Sequence, residues 1–477
     1  MTKELITISA VASMLLCAAG HPLTAAATEG SPTLCPTSEA HNTLCACEMH
    51  NAQQTLAPEY RVDSATVGTL ALSVDALAFF KDNEYDGEMV RGYSLPGFRV
   101  QPRLSYTPLQ QVRLEAGMYA IVYDGANKYP SYVFHDIAHW KGNQHQHGAH
   151  ALPFFRATAS LGDPTPECPQ GRPSRTTIVV GDIYGGATHQ LLQPLYNAEL
   201  QLTDDPEMGA QVLVERKRWR SDLWVNWQSY IYEEDTHQEA FTVGWTQRIN
   251  LTPQHLQPTG SGTAAGSNFY VPLQIVAQHR GGEQDLPELQ LGVQTIANGA
   301  VGLGYEWRPQ TISCARAEAR THTAGPAPKG TSATAAGPLK RFSAEACGLM
   351  AYQQSGHLWP FDVGGALWAS VAADLAVGRG AARRDGTLSV KLGLLHAPHQ
   401  FCTLYGSPFF GTVSVKREDL TFDSMTTGYW AVQYARTFAG AYTIAAKADG
   451  YISQGRAPFS FGVYFSASPS FILKRLK

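Results

Sequence analysis

The chain has 477 residues, of which 16% are charged, well below the ~25% usual in soluble domains. Its 44 glycines, 21 tyrosines, 9 tryptophans and net charge of −4 argue against a nucleic-acid or anionic-surface binder and suit a protein in contact with lipid. No run after the N-terminal stretch approaches the ~20 apolar residues of a membrane helix, so any span has to be built from strands.

Residues 1–27 have the layout of a secretory signal, with Lys3 ahead of the apolar run 5–20 and Ala25-Ala26-Ala27 offering a small-x-small cleavage site before Thr28. This predicts export by the general secretory route to the Gram-negative outer membrane. Residues 28–66 read as a short polar periplasmic leader holding His41, Cys45, Cys47 and His50, too short for a plug domain.

From residue 67 to 477 the chain reads as one barrel. Period-two alternation predicts strands at 69–80, 97–106, 111–123, 149–161 and 176–184. The clearest follow at 209–215, 219–228 and 241–249, where Gln211, Glu215, Asp222, Asn226, Thr242 and Arg248 oppose Val212, Val214, Leu223, Val225, Val243 and Ile249. One face is charged and amide-rich and the other aliphatic, as expected for lipid outside and a watery lumen inside. Further strands are predicted at 269–280, 298–308, 342–354, 364–377, 386–396, 427–438, 441–452 and 458–473. The expected fold is therefore all-β, a transmembrane antiparallel barrel of about sixteen strands, with fourteen to eighteen compatible with the length. The tight turns 107–110, 217–220, 378–385 and 439–440 fall on one side, assigned to the periplasm. The long loops 81–96, 124–148, 185–208, 281–297 and 397–426 fall on the other. Two features strain this parity: the low-complexity insertion 310–340, and the strand-like stretch 409–417 inside an outer loop.

Several stretches carry a family resemblance. They are Gly181-Asp182-Ile183-Tyr184-Gly185-Gly186 with His189 and Pro194-Leu195-Tyr196, the run Trp219 to Trp227, His237-Gln238-Glu239 with Phe241 to Gly244, and Pro272-Leu273-Gln274 with His279 to Gly282. As a set they resemble a family of uncharacterised outer-membrane barrel proteins from Bacteroidota. The resemblance implies the barrel and supplies no substrate or catalytic residue.

The inferred lumen face carries Arg99, Arg103, Arg113, Arg156, Arg248, Arg280, Arg308, Lys391 and Lys447 against Glu115, Glu215, Asp222, Glu306, Asp374 and Asp449. An open pore so lined would favour anions; the other reading is that these charges pair across neighbouring strands and fill the interior. His135, His139, His145, His147 and His150 crowd one loop and are weak metal candidates. No cofactor is assigned. Among the cysteines, Cys314 and Cys347 bracket the insertion and form the expected disulfide, with Cys35 and either Cys45 or Cys47 next. The chain holds no nucleophile elbow and no HExxH; Asp182, Tyr184 and Ser221-Asp222 near His189 are polar residues in reach of one another and nothing more. The expectation is a porin-like passive channel for small solutes, not an enzyme. Its alternatives are a filled barrel whose outer loops bind a partner and, last, a barrel-embedded hydrolase. The partners foreseen are outer-membrane lipid and small solutes, without nucleic acid.

Overall fold

Seventeen strands form one antiparallel sheet: β1 (Thr69–Asp86), β2 (Arg91–Leu109), β3 (Val112–Asp124), β4 (His147–Gly162), β5 (Arg175–Asp182), β6 (Met208–Glu215), β7 (Trp219–Ser229), β8 (Ala240–Asn250), β9 (Gly266–Arg280), β10 (Gln294–Arg308), β11 (Leu339–Ser355), β12 (Val363–Val377), β13 (Gly386–Ala397), β14 (Met425–Phe438), β15 (Tyr442–Ser453), β16 (Phe459–Ala467) and β17 (Ser470–Arg475). Each strand from β1 to β15 pairs with the next in the chain. β1 pairs with β2 on one edge and with β16 and β17 on the other, which closes the ring. β17 continues β16 past a break at Pro469, whose carbonyl accepts from the Val74 amide. The result is a closed sixteen-strand barrel with one short added strand. The computed structural model describes residues 60, 62–86, 90–124, 147–162, 174–216, 218–230, 239–252, 266–281, 293–308, 338–355, 359–378, 386–413, 420–438 and 441–476. The signal, the leader up to residue 59, the loop carrying His135, His139 and His145, and the bulk of the 310–340 insertion with Cys314 lie outside these residues.

The alternating pattern sets the wall. Outward positions such as Leu104, Leu114, Val122, Ile178, Leu223, Ile275, Leu303, Leu367, Leu392, Val432, Ile444 and Val463 are exposed. An apolar belt of this extent is a lipid-facing surface. Every charge expected on the lumen face occupies an inward position, and the inward positions are polar or closely packed. Closure removes the sheet edges wherever neighbouring strands run alongside each other, so backbone groups in the paired wall are satisfied without water.

The lumen is filled. Two loops predicted to lie outside the barrel instead turn into it: 183–207, with one-turn helical segments at Gly186–His189 and Ala198–Leu202, and a second, described at 398–413 and 420–424, with another at Pro408–Phe410. They meet in a parallel bridge between Tyr196 and Tyr405, where the Asn197 amide donates to the Tyr405 carbonyl at 2.7 Å. The physical reason is their content. Leu191, Leu192, Leu195, Leu200, Phe401, Leu404, Phe409 and Phe410 pack against inward Trp224, Ile296, Leu349, Trp368, Leu395, Tyr429 and Tyr451 in one core. Inward amides and hydroxyls of the wall then satisfy the loop backbones. Gln274 accepts from the Leu192 amide at 2.7 Å and donates to the Gln190 carbonyl at 3.0 Å. Asn298 accepts from the Leu404 amide and donates to the Cys402 carbonyl, and Thr427 donates to the Phe409 carbonyl. Of the strand-like stretch 409–417, the described residues 409–413 belong to this filling, and 81–96, expected as a loop, is mostly strand, because Lys81 and Tyr93 reach inward to Glu199.

The remaining interior is ionic. Glu115 meets Arg103, Arg113 and Arg156 at 3.2, 3.4 and 3.7 Å; Glu306 meets Arg248 and Arg308 at 3.3 and 2.6 Å; Arg341 meets Asp374 at 3.0 Å and Lys447 meets Asp449 at 3.5 Å. These inward charges pair with one another, within a strand at Arg113–Glu115, Arg308–Glu306 and Lys447–Asp449 and across strands at the rest. Cys347 is a free, buried thiol in the middle of β11, opposite Gly302 and Trp368, so the expected disulfide does not form at this residue. At ~3.3 Å per residue it lies more than about 20 Å along the strand from the end that leads to the insertion.

Candidate active site

The loop 183–207 leaves the end of β5 and brings His189 to the inner wall at β7. The imidazole is buried. Nδ1 lies 2.8 Å from Asp222 Oδ2 and Nε2 lies 3.2 Å from Glu207 Oε2. The ring stacks on Trp224, with centroids 3.6 Å apart and planes 8° from parallel. Each neighbour is itself held. Gln211 donates to Asp222 Oδ1 at 2.9 Å, and the Gly186 amide donates to Glu207 Oε1 at 2.6 Å. The His189 carbonyl accepts from Thr246 at 2.9 Å. Gly186 has φ +62, and a Cβ there would fall 2.4 Å from Gln201 Nε2. Glycine is therefore what lets the backbone turn close enough to present its amide to Glu207.

The electrostatics follow from the two carboxylates. Burial alone would lower the His189 pKa, but Asp222 and then Glu207, by charge and hydrogen bond, carry it up to about 9. Burial pushes the Glu207 carboxyl up, and His189 with the Gly186 amide brings it below its ordinary value. Burial, Glu207 and Asp205 together raise Asp204 well above its ordinary value. At neutral pH His189 is therefore an imidazolium held between Asp222 and Glu207. A folded pKa above the unfolded 6.5 means that the stabilisation by this pair is fully present below about 6.5 and is lost as pH rises through about 9. Unfolding midpoints measured from pH 6 to 10 should fall more steeply for the wild type than for His189→Asn; parallel curves would contradict the ion triad.

The triad borders a cavity of about 560 Å³, within the range of small-molecule sites. Its wall includes Arg99, Arg103, Phe154, Arg156, Tyr184, Thr188, Asp205, Glu207, Trp224, Asn226 and Tyr405. Arg156 lies over the Tyr184 ring at 3.9 Å and donates to the Asp182 and Ile183 carbonyls, and Arg113 donates to the Tyr184 hydroxyl at 2.6 Å. These bonds lock the start of the loop to the wall.

Of the residues singled out by sequence, Asp222 and His189 come together and Asp182 and Tyr184 shape the loop. Ser221 does not join them: it faces outward and accepts from Trp245 Nε1 at 2.8 Å, since neighbours on a strand point to opposite sides. Glu207 was missed because it stands in a stretch read as an outer loop. Among the weak metal candidates, His150 pairs with Asp205. No group of three or more His, Cys, Asp or Glu among the described residues is placed to hold a metal ion. Gly244 supports the site from below, because a Cβ there would lie 2.0 Å from the Trp224 ring. Gly244→Ala should therefore shift the indole and the imidazole stacked on it. A misplacement of about 1 Å at a reacting group lowers turnover by roughly 10²-fold, and turnover assays on the folded variant check it.

Fold and site together define an outer-membrane-type β-barrel with a buried acid–base cluster opening on an internal cavity. The chain belongs to the lipid A 3'-O-deacylase-type family, whose model matches residues 62–327 and 315–476. That match overturns the expectation of a non-enzyme, because the family is defined by an activity, and it is consistent with the resemblance to a family of outer-membrane barrels. No functionally curated protein matches the chain. Among solved structures it is similar to OccAB2 of Acinetobacter baumannii (8% identity, 85% of this chain and 99% of that one, TM-score 0.43). It is also similar to OmpT of Vibrio cholerae (8%, 84% and 99%, TM-score 0.42), and to OprD of Pseudomonas aeruginosa (10%, 87% and 98%, TM-score 0.37).

Proposed function

We propose that the protein is an outer-membrane hydrolase that removes an ester-linked acyl chain from lipid A, with Glu207 and His189 as its acid–base pair. The observation that carries this is the His189 triad on the cavity wall of a chain belonging to a deacylase-type family. Asp222 holds the imidazole and the imidazolium holds Glu207, whose side chain keeps 20% of its surface open. Water attacks the ester carbonyl carbon as Glu207 takes its proton. The bond from that carbon to the alkoxy oxygen then breaks, and the proton passes to the departing sugar hydroxyl, leaving a free fatty acid and an alcohol. General acid–base action of this kind is worth about 10²–10⁴-fold. The passive-channel reading has less support, because the two inward loops and the ion pairs occupy the interior that a solute would cross. The outer loops on which the adhesive reading rests lie largely outside the described residues.

Detergent-solubilised protein incubated with lipid A should release free fatty acid, and His189→Asn should not. A folded, heat-modifiable wild-type barrel that releases none under any divalent-cation or pH condition tried would sink the proposal.

A further inference from the structure

The barrel wall is low at one place. β5 and β6 have 8 residues each, whereas every other strand has at least 11, except β16, which β17 continues. At ~3.3 Å per residue and a tilt of about 40°, eight residues give about 20 Å of height, against an apolar band about 25 Å tall. Eleven give about 28 Å by the same arithmetic. On one side of the low hairpin β4 runs on alone. Its last β5 partners are Arg156 and Gly181, and among the described residues nothing pairs with the β5 side of the stretch from His147 to Phe155. The exposed edge is blunted. The Phe155 amide, which faces that side, donates to Asp182 Oδ2 at 2.6 Å. Two residues on, where the next amide but one would point the same way, stands Pro153, which has none. Beyond Asp182 the chain does not extend the wall but turns inward to build the His189 site.

The cavity reaches this dip. Its lining includes inward Leu152 and Phe154 of β4. It also includes Met208 and Trp227, which sit at outward positions of β6 and β7 and are 49% and 45% exposed. Outward side chains border an internal cavity where it opens through the wall or over a low rim, and Met208 stands at the first residue of β6, level with Trp227. At that mouth they are continuous with lipid-facing Phe155.

We propose that the dip over the β5–β6 hairpin is a lateral portal through which the acyl chain of a bilayer lipid enters the barrel and reaches the His189 cavity. The apolar mouth accepts a chain without drawing the polar head group out of the interface. The charged and amide groups deeper in the cavity meet the ester end. The purpose of the portal rests on the hydrolase reading, but chain occupancy can be read without turnover.

The test uses the wild-type protein in phosphatidylcholine vesicles containing a phospholipid with a diazirine near its acyl terminus. After illumination, the labelled residues are mapped by mass spectrometry, with and without excess unlabelled lipid A. Outward residues such as Phe155 and Leu161 will be labelled in any case. The expected result is further label on inward Leu152, Phe154 or Trp224, none on inward Thr158 or Ser160, and a loss of at least half of the inward label when lipid A competes. Inward label that lipid A leaves undiminished keeps the portal and assigns it to phospholipid. Label confined to outward residues in both arms overturns it, whether or not the protein hydrolyses lipid A.

Discussion

His189→Asn lowers the rate of fatty-acid release by about 10²–10⁴-fold, the range for loss of an acid–base group, while the barrel still folds. Asparagine keeps a polar group near Asp222 but cannot bridge both carboxylates, which are held on opposite sides of the imidazole at 2.8 and 3.2 Å. Glu207 then loses the cation that keeps it ionised and in place. The loss should fall on kcat more than on KM, because His189 is buried and the cavity wall that would hold substrate is unchanged. Glu207→Gln should give a loss of the same order. A rate within threefold of wild type for either variant, in protein shown to be folded by its gel shift on heating, removes this cluster from the chemistry.

Glu115→Gln is expected to destabilise the barrel by about 3–5 kcal/mol, the range for breaking a buried ion pair. Glu115 is the shared counter-ion of Arg103, Arg113 and Arg156, and both it and Arg156 are buried. Neutralising it leaves three guanidinium groups facing one another, with Asp75 still paired to Arg103. Denaturant midpoints in detergent micelles measure the effect. Because Arg156 also fixes the start of the 183–207 loop through the Asp182 and Ile183 carbonyls, activity should fall below the midpoint of unfolding. An unchanged midpoint would mean that these inward charges are hydrated rather than paired.

The wall of the barrel was legible in the sequence, and most of its contents were not. All sixteen strands follow from period-two alternation, because lipid on one side imposes an apolar side chain at every second residue. Gln211 with Val212 and Asp222 with Leu223 show this directly. The inward parity of Arg103, Glu115, Arg248 and Glu306 was equally readable. What they pair with across the strands was not, since register is a property of neighbouring strands rather than of one. The two filling loops were misplaced because loops are usually solvated. A signal existed: Leu191, Leu192, Leu195, Phe401, Phe409 and Phe410 are too apolar for an outer loop. The site was half visible. Asp182, His189 and Asp222 drew attention, but parity alone turns Ser221 away from them. Glu207 could be found only by folding 183–207 back into the lumen.

The central claim is tested most directly by tandem mass spectrometry of lipid A taken from vesicles in which the purified wild-type protein has been reconstituted. Wild-type vesicles should yield lipid A lighter by one ester-linked acyl chain, with that chain recovered as free acid, and vesicles holding the His189→Asn protein should yield unchanged lipid A. Full-length lipid A in both, with the barrel folded and inserted, would contradict it.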